Sequence, residues 1–358
     1  MGAIVRLVIG HPKWALGFLL FGSSLAASQL PKLKVNVSPE GLMRTKDPEK
    51  AFYDATLKTF GSDNITVVFV EDERLFAAEK LEALRDATDA LSDIPGVIRV
   101  ESLFTLKNFK TVDGALQSTP FLEEIPATPE EESAIVRDAL RNPLIARNVI
   151  SADGKAMAVN VYVRNPDKAP GFEERLAVEI EKAITPLEGK FQRVFQIGMP
   201  YTRKVLGETV VSDQKILTGL AVIALLAGLA ICAGSLSAAM VPLTTAGLSI
   251  LWTFGFMAFF GIPINILTSI IPALMLVTGS NEDMHMLAEY NEGVEECHDR
   301  RGGILHMAGK MGVALVLTSA TNYLGFLSIG FNDILMLQQF GLVASTGLLL
   351  NLVVTLTI

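Results

Sequence analysis

Glu282-Asp283-Met284-His285 places two carboxylates and an imidazole within one helical turn, at the end of the longest uncharged run of the chain. Neighbouring carboxylates repel, and a histidine titrates near neutrality. The group can therefore take up and release protons. Adjacent side chains do not share a helix face, so at most one of the two carboxylates is expected to point inward. A second reading stays open, in which the helix ends at Gly279 and these residues are solvated. Asp283, Glu282 and His285 are the candidate proton relay.

Thr318, Thr321 and Asn322 fall at i, i+3 and i+4, forming one polar stripe on a helix. An antiparallel neighbour could bring that stripe towards Asp283 and hydrogen-bond it. Ser and Thr are also common glue between membrane helices, and they bond their own backbone. Cys297, His298, His306 and His285 have no zinc-type spacing, so no metal site is expected. The chain holds no G-x-x-x-x-G-K phosphate loop and no G-x-S-x-G elbow. No cofactor and no enzymatic activity are expected.

The elements that must position these residues follow from the charges. Of 68 charged side chains, 57 lie in residues 1–215, and the 66 residues from Ile216 to Asn281 carry none. A membrane span needs only about 20 apolar residues, so this run excludes a soluble single domain. The mean hydropathy of +0.41 averages a polar half and a membrane half. A net charge of −8 without a basic stripe gives no nucleic-acid footprint. The two cysteines, Cys232 and Cys297, indicate no disulfide framework.

Six spans are placed by length and by breakers, at about 14–30, 216–235, 237–260, 264–281, 311–330 and 334–358. The second ends at Gly234-Ser235, and Pro272 lies inside the fourth. The first span also reads as a cleavable signal peptide, and a retained span is preferred. Arg6 and Lys13 precede the first span, and Arg300, Arg301 and Lys310 lie between the fourth and fifth. With six spans both basic segments are cytoplasmic. Residues 1–30 are then a cytoplasmic N-terminus and first span, 31–213 an external domain, and 214–358 spans two to six. A cytoplasmic amphipathic segment at about 283–310, interrupted at Gly302-Gly303, joins spans four and five.

The external segment carries 24 Lys+Arg and 30 Asp+Glu. Strand signals at Asn64–Val70, Val97–Phe104 and Phe191–Ile197 alternate with helix signals at 75–91 and Phe172–Ile184. Thr128 caps a helix that begins Pro129-Glu130-Glu131. Ile145–Ile150 and Lys155–Val163 flank Asp153-Gly154 as a hairpin. The pattern predicts two α/β sandwich units, each of split βαβ type. The fold class is thus a polytopic α-helical membrane protein of six spans with a large external α+β domain of ferredoxin-like, split βαβ units.

Gly279-Ser280-Asn281-Glu282-Asp283 resembles the fourth-span G-x-x-x-D pattern of the resistance-nodulation-division (RND) superfamily. Thr318-Ser319-Ala320-Thr321 with Gly325-Phe326 resembles its fifth-span segment, and Phe340-Gly341-Leu342 its sixth. Ile94-Pro95-Gly96-Val97 and Arg141-Asn142-Pro143-Leu144 are similar to segments of its MMPL-type branch. In two respects the chain departs from the pattern. The family usually has two tandem halves and twelve spans, whereas this chain has one half and stops at Ile358, within the sixth span. A fragment is the preferred reading, over a half-size unit that pairs. Met284 follows Asp283 where an aromatic is common.

The resemblance implies a proton-coupled transporter half that moves hydrophobic or lipid-like cargo through its outer domain, with Asp283 at the proton site. It implies an inner (plasma) membrane location with the large domain outside. The partners it implies are membrane lipids, a hydrophobic or lipid cargo, and a second transporter half or a second copy. Two alternatives stand beside it: a Patched-like lipid- or sterol-sensing protein, and a SecD/SecF-like translocation partner.

Overall fold

The computed structural model describes residues 2–37, 39–44, 47–60, 65–112, 115–164, 171–233 and 236–358. The chain divides into two compact units, one made of residues 51–206 and the other of 1–50 with 207–358. The compact units divide at 50/51 and 206/207, whereas the external segment expected from the sequence is 31–213. Residues 33–37 are extended, and the backbone N–H of Asn36 donates to Ile264 O while Ile264 N–H donates to Lys34 O, both at 2.8 Å. This segment therefore belongs with the helices.

The helical unit begins with α1 (Gly2–Gly10) and α2 (Pro12–Gln29). Helix α3 (Pro48–Phe60) follows at the junction of the two units. In the other unit, β1 (Ile65–Glu71), α4 (Ala78–Ser92) and β2 (Val97–Glu101) come first. A hairpin of β3 (Lys107–Val112) and β4 (Ala115–Pro120) and the helix α5 (Pro129–Arg141) come next. Then come β5 (Ala156–Val163), α6 (Phe172–Ile184) and β6 (Arg193–Gly198). Four strands form one sheet in the order β2-β5-β1-β6, with every neighbouring pair antiparallel. Each β-α-β segment thus skips one strand, and the two segments interleave.

Strand periodicity explains the core of this unit. Alternate residues Val68, Val70, Met157, Val159 and Val161 are buried, as period-2 side chains on one face must be. Leu81, Leu84 and Leu91 of α4 and Leu176, Ile180 and Ile184 of α6 join them in one cluster. Each such side chain contributes about 2 kcal/mol of burial. Thr128 caps α5 as expected, its hydroxyl accepting from Glu131 N–H at 3.3 Å.

Several expectations are corrected here. A single four-stranded sheet stands where two α/β units were predicted, because the hairpin and α5 do not build a second four-stranded sheet among the described residues. Ile145–Ile150 forms turns with isolated bridges instead of a strand, since Arg147 takes a left-handed conformation at φ 63. Asn64 and the Gly234-Ser235 turn lie outside the described residues.

The second unit continues with α7 (Met199–Ala233), α8 (Leu236–Phe260), α9 (Ile271–Cys297), α10 (Arg300–Ile329) and α11 (Leu335–Thr357). Among the described residues, four stretches are long and apolar enough to cross a bilayer: Met199–Gly228, Met240–Phe260, Arg300–Ile329 and Leu335–Thr357. Helix α8 packs on α2, α9 and α11, and α10 packs on α9 and α11. Met257, Ile271, Met275, Val343 and Leu348 are buried together between α8, α9 and α11. Across α2 and α8, Trp252 Nε1–H donates to Ser23 Oγ at 3.0 Å.

The joint between spans four and five also differs from expectation. Pro272 sits in the first turn of α9, where its missing N–H costs nothing. Helix α9 runs on to Cys297 without stopping at Gly279. The break falls at His298, left-handed at φ 52, and Asp299, whose carboxylate accepts from Gly302 N–H at 3.1 Å. Gly302-Gly303 therefore does not interrupt a surface helix. A Cβ on Gly303 would lie 2.5 Å from Val294 Cγ2, so this glycine lets α10 close onto α9.

Candidate functional site

The chemistry of the uncharged region collects where α8, α9, α10 and α11 meet. Glu282 and Asp283 are 8 % and 6 % exposed, which removes the solvated reading for both. Contrary to expectation, both point inward. They do so on different faces, because α9 has helices on several sides. Glu282 Oε1 accepts from Ser319 Oγ of α10 at 3.1 Å. Asp283 Oδ1 accepts from Thr355 Oγ1 of α11 at 3.1 Å. Thr245 of α8 faces the same carboxyl, but its hydroxyl donates to its own backbone, to Val241 O at 3.0 Å. Asp283 Oδ2 is buried without a hydrogen-bond partner. Among the described residues, no Lys, Arg or His forms an ion pair with either carboxylate.

One turn along the same seam, Asn351 of α11 is 1 % exposed. Its Oδ1 lies 3.0 Å from Ser249 Oγ of α8, and its Nδ2 has no partner. Ser249, Thr253, Ser280 and Ser345 are buried nearby on α8, α9 and α11. Their hydroxyls are largely satisfied by their own helix: Ser249 reaches Thr245 O at 2.7 Å, and Thr253 reaches Ser249 O at 2.7 Å. A carboxylate in such a setting has weak donors and no counter-ion, and a proton is the simplest species that neutralises it.

The other sequence candidates separate. His285 is exposed, away from the two buried carboxylates. Thr318 and Thr321 are exposed and Asn322 is half-buried, so the stripe does not face Asp283. Thr321 Oγ1 donates to Thr318 O at 2.9 Å, its own backbone. The residue of that segment that turns inward is Ser319, one position along. Cys297 is exposed, and His298 ends α9. His306 meets Glu296 at 3.4 Å and Glu289 at 3.8 Å. Lys310 Nζ lies 3.1 Å from Glu289 and 3.0 Å from Glu292, so a side-chain ammonium already serves this acidic group.

Sequence reasoning missed Thr245, Ser249, Asn351 and Thr355. A usable signal was present. Thr245, Ser249 and Thr253 recur at i, i+4 and i+8 in α8, and Asn351 and Thr355 at i, i+4 in α11, within segments that have no charge.

The model of the MMPL family matches residues 44–358. The chain belongs to the MMPL family. It therefore sits in the MMPL-type branch of the RND superfamily. The "Putative membrane protein MJ1562" of Methanocaldococcus jannaschii is 24% identical over 300 residues, covering 82% of this chain and 71% of that protein. Family and apolar helices agree that this MMPL chain is a membrane protein of transporter type. In it the G-x-x-x-D segment has a concrete meaning. Asp283 is the buried acid, and Gly279, one turn earlier, makes room for Asn351: a Cβ there would lie 2.6 Å from Asn351 Oδ1.

Proposed function

We propose that this MMPL chain is half of a proton-coupled exporter of hydrophobic or lipid-like cargo, with Asp283 carrying the coupling proton. The observation that carries the reading is the Asp283 carboxyl, buried between apolar helices with one oxygen unpartnered and, among the described residues, no cationic side chain paired to it. An ionisable group in that position costs at least about 2.5 kcal/mol at the bilayer centre. Protonation removes most of that cost, so helix packing around Asp283 differs in energy between its two forms. Such a difference can drive rocking of α9 against α8 and α11. Glu282, held by Ser319, is the second member of the relay, and His285 is its candidate exit towards the cytoplasm.

In this reading six spans cross the inner (plasma) membrane: α2, the apolar part of α7, and α8 to α11. Residues between α2 and α7 form the external domain. The interleaved β-α-β order of its sheet supports a ferredoxin-like fold for that domain. A second half or a second copy completes the transporter, and no cofactor takes part.

The test is Asp283→Asn in the complete protein, reconstituted in proteoliposomes with an imposed pH gradient. Loss of gradient-driven cargo movement, with folding kept, is expected. Full export and full proton coupling in the variant would overturn the assignment.

A further inference from the structure

Asn351 presents an inconsistency of hydrogen bonding that identifies a role for it. Ser249 has one hydroxyl hydrogen, yet Ser249 Oγ lies 2.7 Å from Thr245 O and 3.0 Å from Asn351 Oδ1. The hydrogen goes to one acceptor. If Thr245 O receives it, the contact with Asn351 is satisfied when the amide presents Nδ2–H to Ser249 Oγ. The two amide orientations have almost the same shape and are chosen only by their hydrogen bonds. In either orientation one polar atom of a side chain that is 1 % exposed stays free, an N–H donor in one case and a C=O acceptor in the other.

The second unpartnered atom of the seam is Asp283 Oδ2. Asn351 and Thr355 are i, i+4 on α11, and Gly279 and Asp283 are i, i+4 on α9. Asn351 abuts Gly279, and Thr355 bonds Asp283. The free amide atom and the free carboxyl oxygen therefore lie on one seam, a single turn apart. Residues at that spacing are neighbours on a helix face. The groups that face the Asp283 carboxyl are Thr245 from α8, Thr355 from α11 and Glu282 from its own helix, while Ser249 and Asn351 pair with each other one turn along the seam. Of these only Glu282 is charged.

We infer that Asn351 is a positioning residue for Asp283, whose amide turns a donor towards the carboxylate and an acceptor towards the protonated carboxyl, directly or through one bridging water. Gly279 supplies the space in which the amide turns. Hydroxyls can also switch between donating and accepting, but Thr245 donates to Val241 O at 3.0 Å, and Thr355 already bonds the other oxygen of Asp283. The amide is the group with an atom to spare in both states. This inference rests on the relay role proposed for Asp283.

The experiment is an infrared titration of the complete protein in lipid, following the carboxyl stretch that Asp283→Asn removes. Asn351→Leu is expected to move the half-protonation point by at least threefold in proton concentration. Asn351→Ala, which adds no atoms, serves if the leucine variant does not fold. Gly279→Ala should move the point too, because its Cβ takes the place of the amide. The double variant Gly279→Ala/Asn351→Ala relieves that clash and is expected to stay shifted. A double variant that returns to the wild-type curve would reduce Asn351 to filling space and overturn the inference. Asn351 variants that superimpose on wild type would overturn it also, while leaving the relay role of Asp283 intact. Absence of any titrating band removed by Asp283→Asn overturns both.

Discussion

The Thr355 hydroxyl of α11 donates to Asp283 Oδ1 of α9 across 3.1 Å, joining residues 72 positions apart in the chain. Both residues are nearly inaccessible. A hydrogen bond to a charged group contributes about 1.5–3 kcal/mol, and about 1.4 kcal/mol is a factor of ten. Thr355→Val keeps the shape and removes the donor. Gradient-driven transport by that variant is expected to fall by about tenfold, while Thr355→Ser stays close to wild type. Equal rates for valine and threonine in proteoliposomes would remove this bond from the mechanism.

Ser319 and Thr321 are two positions apart, and their fates should differ. Ser319 is buried and holds Glu282 at 3.1 Å. Thr321 is exposed and donates to its own backbone. Ser319→Ala leaves a buried carboxyl with one partner fewer, at a cost of about 1–3 kcal/mol. Thr321→Val should change stability by less than about 0.5 kcal/mol. Thermal unfolding in detergent compares the two directly. A larger effect at Thr321 would mean that the stripe has a covering partner.

Much of this organisation was legible in the sequence. Charge-free runs gave the apolar helices, a β-branched run gave β1, and the turn signal at Asp153-Gly154 marked the start of β5. The first two signals report burial, and burial dominates the energetics of each element. Asp283 was singled out because an acid bordering such a run is costly, and chiefly because it matches the G-x-x-x-D position of the RND resemblance. Its surroundings were less legible. Ser319 and Thr318 are adjacent, and a difference of about 100° around the helix decides which one faces α9. Spacing alone cannot fix that phase. The inward turn of both Glu282 and Asp283 was missed for a related reason. The rule that i and i+1 point apart excludes two inward side chains only when a helix has one packed face, and α9 has several. The break at His298 and Asp299 was masked by Gly302-Gly303, whose glycines serve close approach.

That close approach is itself testable. A Cβ at Gly303 would meet Val294 Cγ2 at 2.5 Å and Tyr290 O at 3.1 Å, the second of which is backbone and cannot move aside alone. Gly303→Val should therefore separate α10 from α9, at a cost of about 1–3 kcal/mol for overpacking. Helix propensity acts the other way, since glycine is about 1 kcal/mol worse than alanine within a helix. Gly309, with nothing within 4 Å of its Cβ position, is the internal control. Gly309→Ala should stabilise slightly. A lower melting temperature for Gly303→Val only, measured in detergent, is the expected outcome.

In the sheet unit, the pair to test is Asp72 and Lys80, bridged side chain to side chain with 9 % and 14 % side-chain exposure. Burial by itself would raise the Asp72 pKa. The Lys80 ammonium and the backbone N–H of Arg74, at 2.8 Å, outweigh it and hold the carboxyl below its usual value. The sign follows from that depression. Stability from Asp72 is fully present above the unfolded-state pKa of about 3.9, and it is lost as pH falls through the lower folded-state value. Asp72→Asn leaves Lys80 partly buried without its partner, and it should destabilise the unit by about 3 kcal/mol near neutrality. Its stability should then fall less steeply than that of wild type as the pH drops below about 4. Hydrogen exchange of β1 and α4 in the complete protein, followed from neutral to acid pH, reads both effects. Parallel acid profiles for variant and wild type would show that other carboxylates set the acid limit.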